Sequence, residues 1–424
     1  MGFTSLSPNQ EVESIFSNSC RWTPSARLSK VRWSPFVFSS RTDWHRQPNR
    51  LSQLLGERRK SGKPIYDLTI SNPTEAGIEY PSADILDALA QPQSLRYNPN
   101  PQGLLSAREA VAGYYEAKQI DVPPSNIILT ASTSEAYSYL FTLLCEAGDN
   151  VLVPTPSYPL FEFLAQLNHV SIQHYHLRYD GEWLVDIESV KRAITPSTKA
   201  IVVINPHNPT GMFLKSEELR ALSEECAKHS LALIADEVFA EYAFSRDDRR
   251  VASTANHDDI LTFTLNGISK SCGLPQLKLG WIVASGKEEV KSEALQRLEI
   301  VADTFLSVNT PVQVALPVLL KTGEVVQQRI RERVEANLTH LRNAIGKNSP
   351  LSLLSSEGGW YAILKIPNTR SEEEWALKLL DEVGVYVFPG YFFEFQESSY
   401  FVLCLLTERG VFEKGIGEMI KIIQ

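Results

Sequence analysis

Six short apolar runs, separated by segments of helical length, limit this chain to a sheet covered on both faces. Ile127–Thr130, Val151–Val153, Ala200–Ile204, Leu231–Ala235, Leu261–Leu265 and Leu279–Val283 contain no charged residue. Strands of that kind leave neither face for water and belong in the middle of an α/β layer. Between them the pattern turns helical: Glu135–Leu144 with Ser134 as its expected N-cap, Pro159–Leu167, and Ser216–His229 with Ser216 as its expected cap and Glu217 and Glu218 in the first turn. Alternating strand and helix predicts a mostly parallel sheet with right-handed crossovers, a three-layer α/β/α domain.

After Lys287 the pattern changes. Two long helical stretches, Glu288–Val301 and Gln313–Ile345, lead to shorter strands at Trp360–Lys365, Val385–Phe388 and Tyr400–Leu405. These predict a smaller α+β C-terminal domain. The expected division is residues 1–35 as a disordered or irregular extension, 36–80 as a segment packing with the small domain, 81–305 as the large domain and 306–424 as the small one.

A chain of 424 residues, 43% of them hydrophobic, can fill two such cores. Its net charge of -9 argues against a nucleic-acid partner, since binding a phosphate backbone depends on accumulated Lys and Arg. The five cysteines (20, 145, 226, 272 and 404) are scattered, odd in number and form no C-x-x-C pair, so neither a disulfide framework nor a metal site is expected. No apolar run approaches the roughly 18 to 20 residues that span a bilayer. A cytoplasmic protein is expected. Residues 1–35, Ser-rich with Arg21, Arg27 and Arg32, read either as an organelle transit peptide, against which Glu11 and Glu13 count, or as an irregular extension.

Three segments at strand ends carry chemistry: Asn205-Pro206-His207-Asn208-Pro209-Thr210-Gly211, Ala235-Asp236-Glu237-Val238-Phe239, and Ser269-Lys270 with Lys278 and Gly280 behind it. An amine that attacks a carbonyl must be neutral part of the time, which burial achieves. Lys270 could be such an amine or a solvated surface lysine. Asp236, at the carboxyl end of a strand where open α/β sheets place ligands, could pair with a pyridine nitrogen or cap a helix. Asn208 sits in a loop stiffened by Pro206 and Pro209, either an ordinary turn or a fixed amide donor.

In their order and spacing these segments resemble those of the class I/II aminotransferases of the aspartate-aminotransferase fold, fold type I, over roughly residues 60–424. The resemblance implies pyridoxal 5'-phosphate, with Lys270 forming the Schiff base, Asp236 paired to the ring nitrogen and Asn208 at the ring hydroxyl. Ser269 flanks the lysine. It also implies Ser132, Thr133 and Ser134 as a phosphate loop at a helix N-terminus, where free N–H groups favour an anion. Tyr158 would stack on the ring, and Tyr97 would reach the phosphate of a partner subunit's site in a homodimer.

Several positions depart from the family pattern. Phe239 stands where a ring-hydroxyl tyrosine is common, Gly267 where a serine is common, and Lys278 where a phosphate-binding arginine is common; lysine keeps the charge without the bidentate fork. Val402 aligns with the arginine that clamps the substrate carboxylate. Either another residue holds that group, with Arg41 and Arg50 as candidates, or the donor lacks it. Arg409 would need a shifted register. Tyr391, Phe392, Phe393 and Phe395 read as an apolar substrate pocket or as core.

The resemblance thus implies an aminotransferase acting on a small-molecule amino donor and a 2-oxo acid acceptor. One fold supports several outcomes of the same cofactor chemistry. A lyase, cyclase or decarboxylase therefore stands as the alternative, and a non-catalytic domain sensing pyridoxal phosphate or an amine as a more distant one.

Overall fold

The computed structural model describes residues 37–44, 47–346, 349–396 and 399–424; the expected extension at 1–35 and Cys20 lie outside them. The first strand, β1 (Tyr66–Asp67), belongs to a small two-stranded ladder. The large sheet is built from β2 (Ile127–Thr130), β3 (Asn150–Thr155), β4 (Ser171–Tyr179), β5 (Trp183–Val185), β6 (Thr198–Ile204), β7 (Ala232–Asp236), β8 (Thr262–Gly267) and β9 (Gly280–Ser285). Its spatial order is β2-β9-β8-β7-β6-β3-β4-β5. The five strands from β8 to β4 are parallel, while β9 runs against β8 and β2, and β5 against β4.

All six apolar runs are strands of this sheet. β4 and β5 were not legible as such, because Ser171–Tyr179 carries Gln173, His174, His176 and Arg178 among its apolar positions. It lies towards the sheet edge and needs less apolar cover. On one face the sheet buries Ala136, Leu140 and Phe141 of the helix Thr133–Leu144 and Ala294, Leu298 and Ala302 of Glu288–Phe305. The other face meets Leu222 and Cys226 of Ser216–His229.

Two helix starts differ from expectation. The first helix begins at Thr133, and its N-cap is Ser132, whose Oγ accepts from Glu135 N at 3.2 Å; Ser134 lies inside the first turn. At Ser216–His229 the cap is Lys215, because Glu218 reaches back to accept from Lys215 N at 2.8 Å.

The C-terminal part forms an antiparallel sheet from β10 (Ser352–Leu353), β11 (Tyr361–Lys365), β13 (Phe388–Pro389) and β14 (Tyr400–Cys404), in the order β10-β11-β14-β13. The remaining strand, β12 (Val385–Tyr386), pairs in parallel with β1. The chain around β1 is tied there further: Cys404 N donates to Leu68 O at 2.7 Å and Leu68 N to Tyr386 O at 2.9 Å. Both parts share the 35-residue helix Thr310–Ala344. Its Leu316 and Leu319 pack with Trp281 and Val283 of the large sheet, and its Val334 and Leu338 with the core that holds β11 and β14.

Candidate active site

Parallel strands deliver their carboxyl ends to one side of the sheet, and the candidate residues follow those ends. Asp236 is the last residue of β7. Lys270 lies in the single helical turn Ile268–Ser271 directly after β8. Asn208 lies in the loop after β6, Ser132 after β2, and Tyr158 after β3.

Asp236 is buried, and one carboxylate oxygen accepts from Tyr137 Oη at 3.1 Å and the other from Val238 N at 3.1 Å. Burial pushes its carboxyl up to about 6, against the downward pull of these hydrogen bonds and of the Lys270 charge. Burial likewise brings the Lys270 amine down to about 8, opposed by Cys404 and Asp236 and aided by Lys278. A lysine in that range supplies neutral amine at physiological pH, as nucleophilic or proton-transfer chemistry requires. Tyr242 Oη donates to Lys270 O at 2.6 Å, which fixes the main chain below the amine. Lys270 Nζ lies 5.0 Å from the Trp360 ring and 5.9 Å from the Phe239 ring.

The Asn208 loop is held against the small sheet. Gly211 has φ +70°, and a Cβ there would collide with Ser356 and with the Gly358 carbonyl. Asn208 is buried with an Oδ1 that has no partner among the described residues. His207 is buried, bonds Thr210 Oγ1 through Nδ1 at 2.9 Å and is pushed down by burial to about 3, so it stays neutral.

Ser132, Thr133 and Ser134 form the N-terminal edge of their helix. That edge abuts Gly280, where a Cβ would stand 3.3 Å from the Ser132 carbonyl carbon. Lys278 is exposed in a left-handed conformation two residues before Gly280. At Gly267 the backbone is extended, but a Cβ would lie 2.8 Å from Gly280 Cα and 2.9 Å from Leu279 O, so this packing excludes serine. Ser269 and Tyr158 are half-buried, and Ser157 N, next to Tyr158, donates to Phe393 O at 2.8 Å. Tyr97 stands apart, 80% exposed.

Val402 is fully buried on β14, opposite Ile363 of β11 and Phe388 of β13. The arginines considered in its place lie elsewhere. Arg41 donates to Leu167 O at 3.1 Å, Arg50 lines a surface hollow with Glu57, Arg370 and Asp381, and Arg409 pairs with Glu413 at 2.7 Å. Phe392, Phe393 and half-buried Phe395 belong to the core, whereas Tyr391 is exposed. Three site residues had no signal of their own in the sequence. Tyr137, Tyr242 and Trp360 read as core aromatics, and only the fold brings them to Asp236 and Lys270.

These residues fit the cofactor that the resemblance implies. A desolvated lysine, a buried carboxylate held by Tyr137, a buried Asn208 amide whose oxygen is unmatched and a helix N-terminus are groups that suit an aldehyde-bearing pyridine with a phosphate arm.

A family model described as aminotransferase class I and II matches residues 63–411. The chain is 28% identical over 372 residues to the glutamate-pyruvate aminotransferase AlaA of Haemophilus influenzae, covering 86% of this chain and 92% of that protein. It is 30% identical over 346 residues to an alanine aminotransferase of Mycobacterium tuberculosis, covering 78% of each. An Escherichia coli aminotransferase structure superposes with a TM-score of 0.80 at 25% identity, covering 92% of this chain and 98% of that one.

Proposed function

The chain belongs to the aminotransferase class I and II family and is an aminotransferase, and we propose that it works with pyridoxal 5'-phosphate as a cytoplasmic homodimer, with Lys270 as its catalytic amine. The observation that carries the residue assignment is the placement of Lys270 and the buried carboxylate of Asp236 at the carboxyl ends of the neighbouring parallel strands β8 and β7. When bound, the cofactor supplies an electron sink that makes the proton on the substrate's amine-bearing carbon labile.

The protein's own groups do the rest. Lys270 Nζ takes up and returns that proton, since burial leaves the amine partly neutral. Asp236, oriented by Tyr137, holds the ring nitrogen protonated through its negative charge. Asn208 meets the ring hydroxyl, with Phe239 packing where a second donor is common. Ser132, Thr133, Ser134 and Lys278 would receive the phosphate, Ser269 flanks the lysine, and Tyr158 would cover the ring. Tyr97 serves the partner's site, a reading supported by its exposure. We assign residues 81–305 to the cofactor-binding domain and 306–424, with 36–80, to the smaller one, supported by the β1–β12 pairing.

The relatives' names point to alanine, glutamate and pyruvate as the first compounds to try. Val402 is buried and apolar where the family's carboxylate-binding arginine is common, so a substrate carboxylate here is held by another group. The test is transfer of the amino group from L-alanine or L-glutamate to a 2-oxo acid by the purified protein, with Lys270→Ala as control. Transfer that requires the acceptor and disappears in the variant is the expected result. Release of ammonia and an oxo acid with no acceptor present would replace transamination with lyase chemistry.

A further inference from the structure

We propose that Trp360 is a positioning residue for Lys270: its indole face, with the ring of Phe239, forms a cation–π cradle that helps hold the lysine ammonium whenever the amine is protonated. The inference rests on Lys270 being the working amine. Its geometry is direct, with Nζ at 5.0 Å from the Trp360 ring and 5.9 Å from the Phe239 ring. An ammonium within about 6 Å of an aromatic face is attracted by the ring quadrupole, most strongly for tryptophan and more so where water is excluded.

The indole is built into place. Trp360 is fully buried, edge-on to Phe239 at 5.2 Å and to Tyr242 at 5.1 Å. Tyr242 is the residue whose hydroxyl holds Lys270 O, so one tyrosine fixes both the lysine main chain and the ring above it. Two glycines set the approach: Gly359, at φ +79°, donates its N–H to Tyr242 O at 2.9 Å, and a Cβ on Gly358 would collide with that same carbonyl. Trp360 Nε1 is buried without an acceptor among the described residues. A phenylalanine would avoid that unmet N–H, so the indole's use here lies in its face.

The cradle and the burial act in opposite directions on the proton. Burial expels charge, whereas the two rings, Asp236 on β7 and Cys404 on β14 favour the ammonium and Lys278 opposes it. The balance leaves an amine that can carry a proton without leaving the site. Because Trp360 enters from the small sheet and Lys270 from the large one, the lysine's proton affinity depends on how the two sheets are seated.

The test reads the amine itself in the cofactor-free protein, by the pH dependence of Lys270 acetylation with acetic anhydride, located by peptide mass spectrometry. The wild-type midpoint is expected near 8. Trp360→Leu keeps the site apolar and removes the ring, so its midpoint should fall and the neutral fraction at pH 7 should rise about threefold. Trp360→Phe should lie between the two. Phe239→Leu, farther from the amine, should move the midpoint the same way by less, and it serves if Trp360→Leu does not fold. A midpoint unchanged or raised in these variants overturns the cradle. Labelling is independent of turnover, so an active Lys270→Ala would sink the catalytic assignment while leaving this result standing.

Discussion

Asp236 and Lys270 follow the carboxyl ends of two neighbouring parallel strands, and each shifts the other's proton affinity: the lysine charge draws the carboxyl down and the carboxylate draws the amine up, while burial drives both the opposite way. The pair is thus poised, and its members depend on one another.

A pH-dependent stability difference follows for Asp236→Asn in the cofactor-free protein. The folded carboxyl, at about 6, lies above its ordinary 3.8. The protonated form therefore favours the fold, and that contribution is full below about pH 4 and lost as pH rises through 6. Between pH 4 and 7 the wild type should lose on the order of 2 kcal/mol relative to the variant. Urea unfolding at several pH values measures it, and parallel curves would contradict the burial account.

Gly267→Ser restores the family's common residue and should still fail. The new Cβ meets main chain on both sides, Gly280 Cα and Leu279 O, and main chain of a central strand pair does not yield cheaply. A loss of about 1–3 kcal/mol in urea unfolding is expected. Unchanged stability with improved cofactor affinity would show that β8 and β9 can separate there.

Val402→Arg places a charge where Ile363 and Phe388 are its cross-strand neighbours. Without an anion to pair with, a buried guanidinium should lower the melting temperature markedly. A dicarboxylate or a 2-oxo acid should restore part of the loss if the substrate carboxylate reaches this strand. Equal melting temperatures with and without the anion would place the carboxylate elsewhere.

Glu357→Gln tests the seat of the Trp360 segment. Glu357 bonds Lys215 Nζ at 2.5 Å and Arg250 Nε at 2.8 Å, and all three side chains are largely buried. Removing the shared carboxylate takes away the carboxylate that Arg250 bonds and leaves Lys215 with Glu182 alone, at 3.9 Å, at a cost of roughly 3–5 kcal/mol. Thermal unfolding checks this, and a change below about 1 kcal/mol would mean that water reaches the pair.

The six apolar runs, the long helices and the order of the Asn208, Asp236 and Lys270 segments were all legible in the sequence. Periodicity and strand-end placement are local properties, and uncharged strands of this length have one stable setting, the inside of a covered sheet. Segment order also carried the family resemblance. By contrast, the helix cap expected at Ser134 falls two residues earlier, on Ser132, and β4 went unread, because a polar strand towards a sheet edge looks like a loop.

Only the tertiary structure decided which aromatics attend the lysine. Tyr137, Tyr242 and Trp360 lie more than 100 residues from one another along the chain, and each reads as core in isolation. Long-range packing brings Tyr137 to Asp236 and Trp360 to Lys270, and low-dielectric burial sets their proton affinities. The chain by itself fixed the chemistry that Asn208, Asp236 and Lys270 can perform, because reactivity belongs to residue types. How strongly that chemistry is expressed is settled by desolvation and by the rings around the amine, which exist only once the two sheets are packed together.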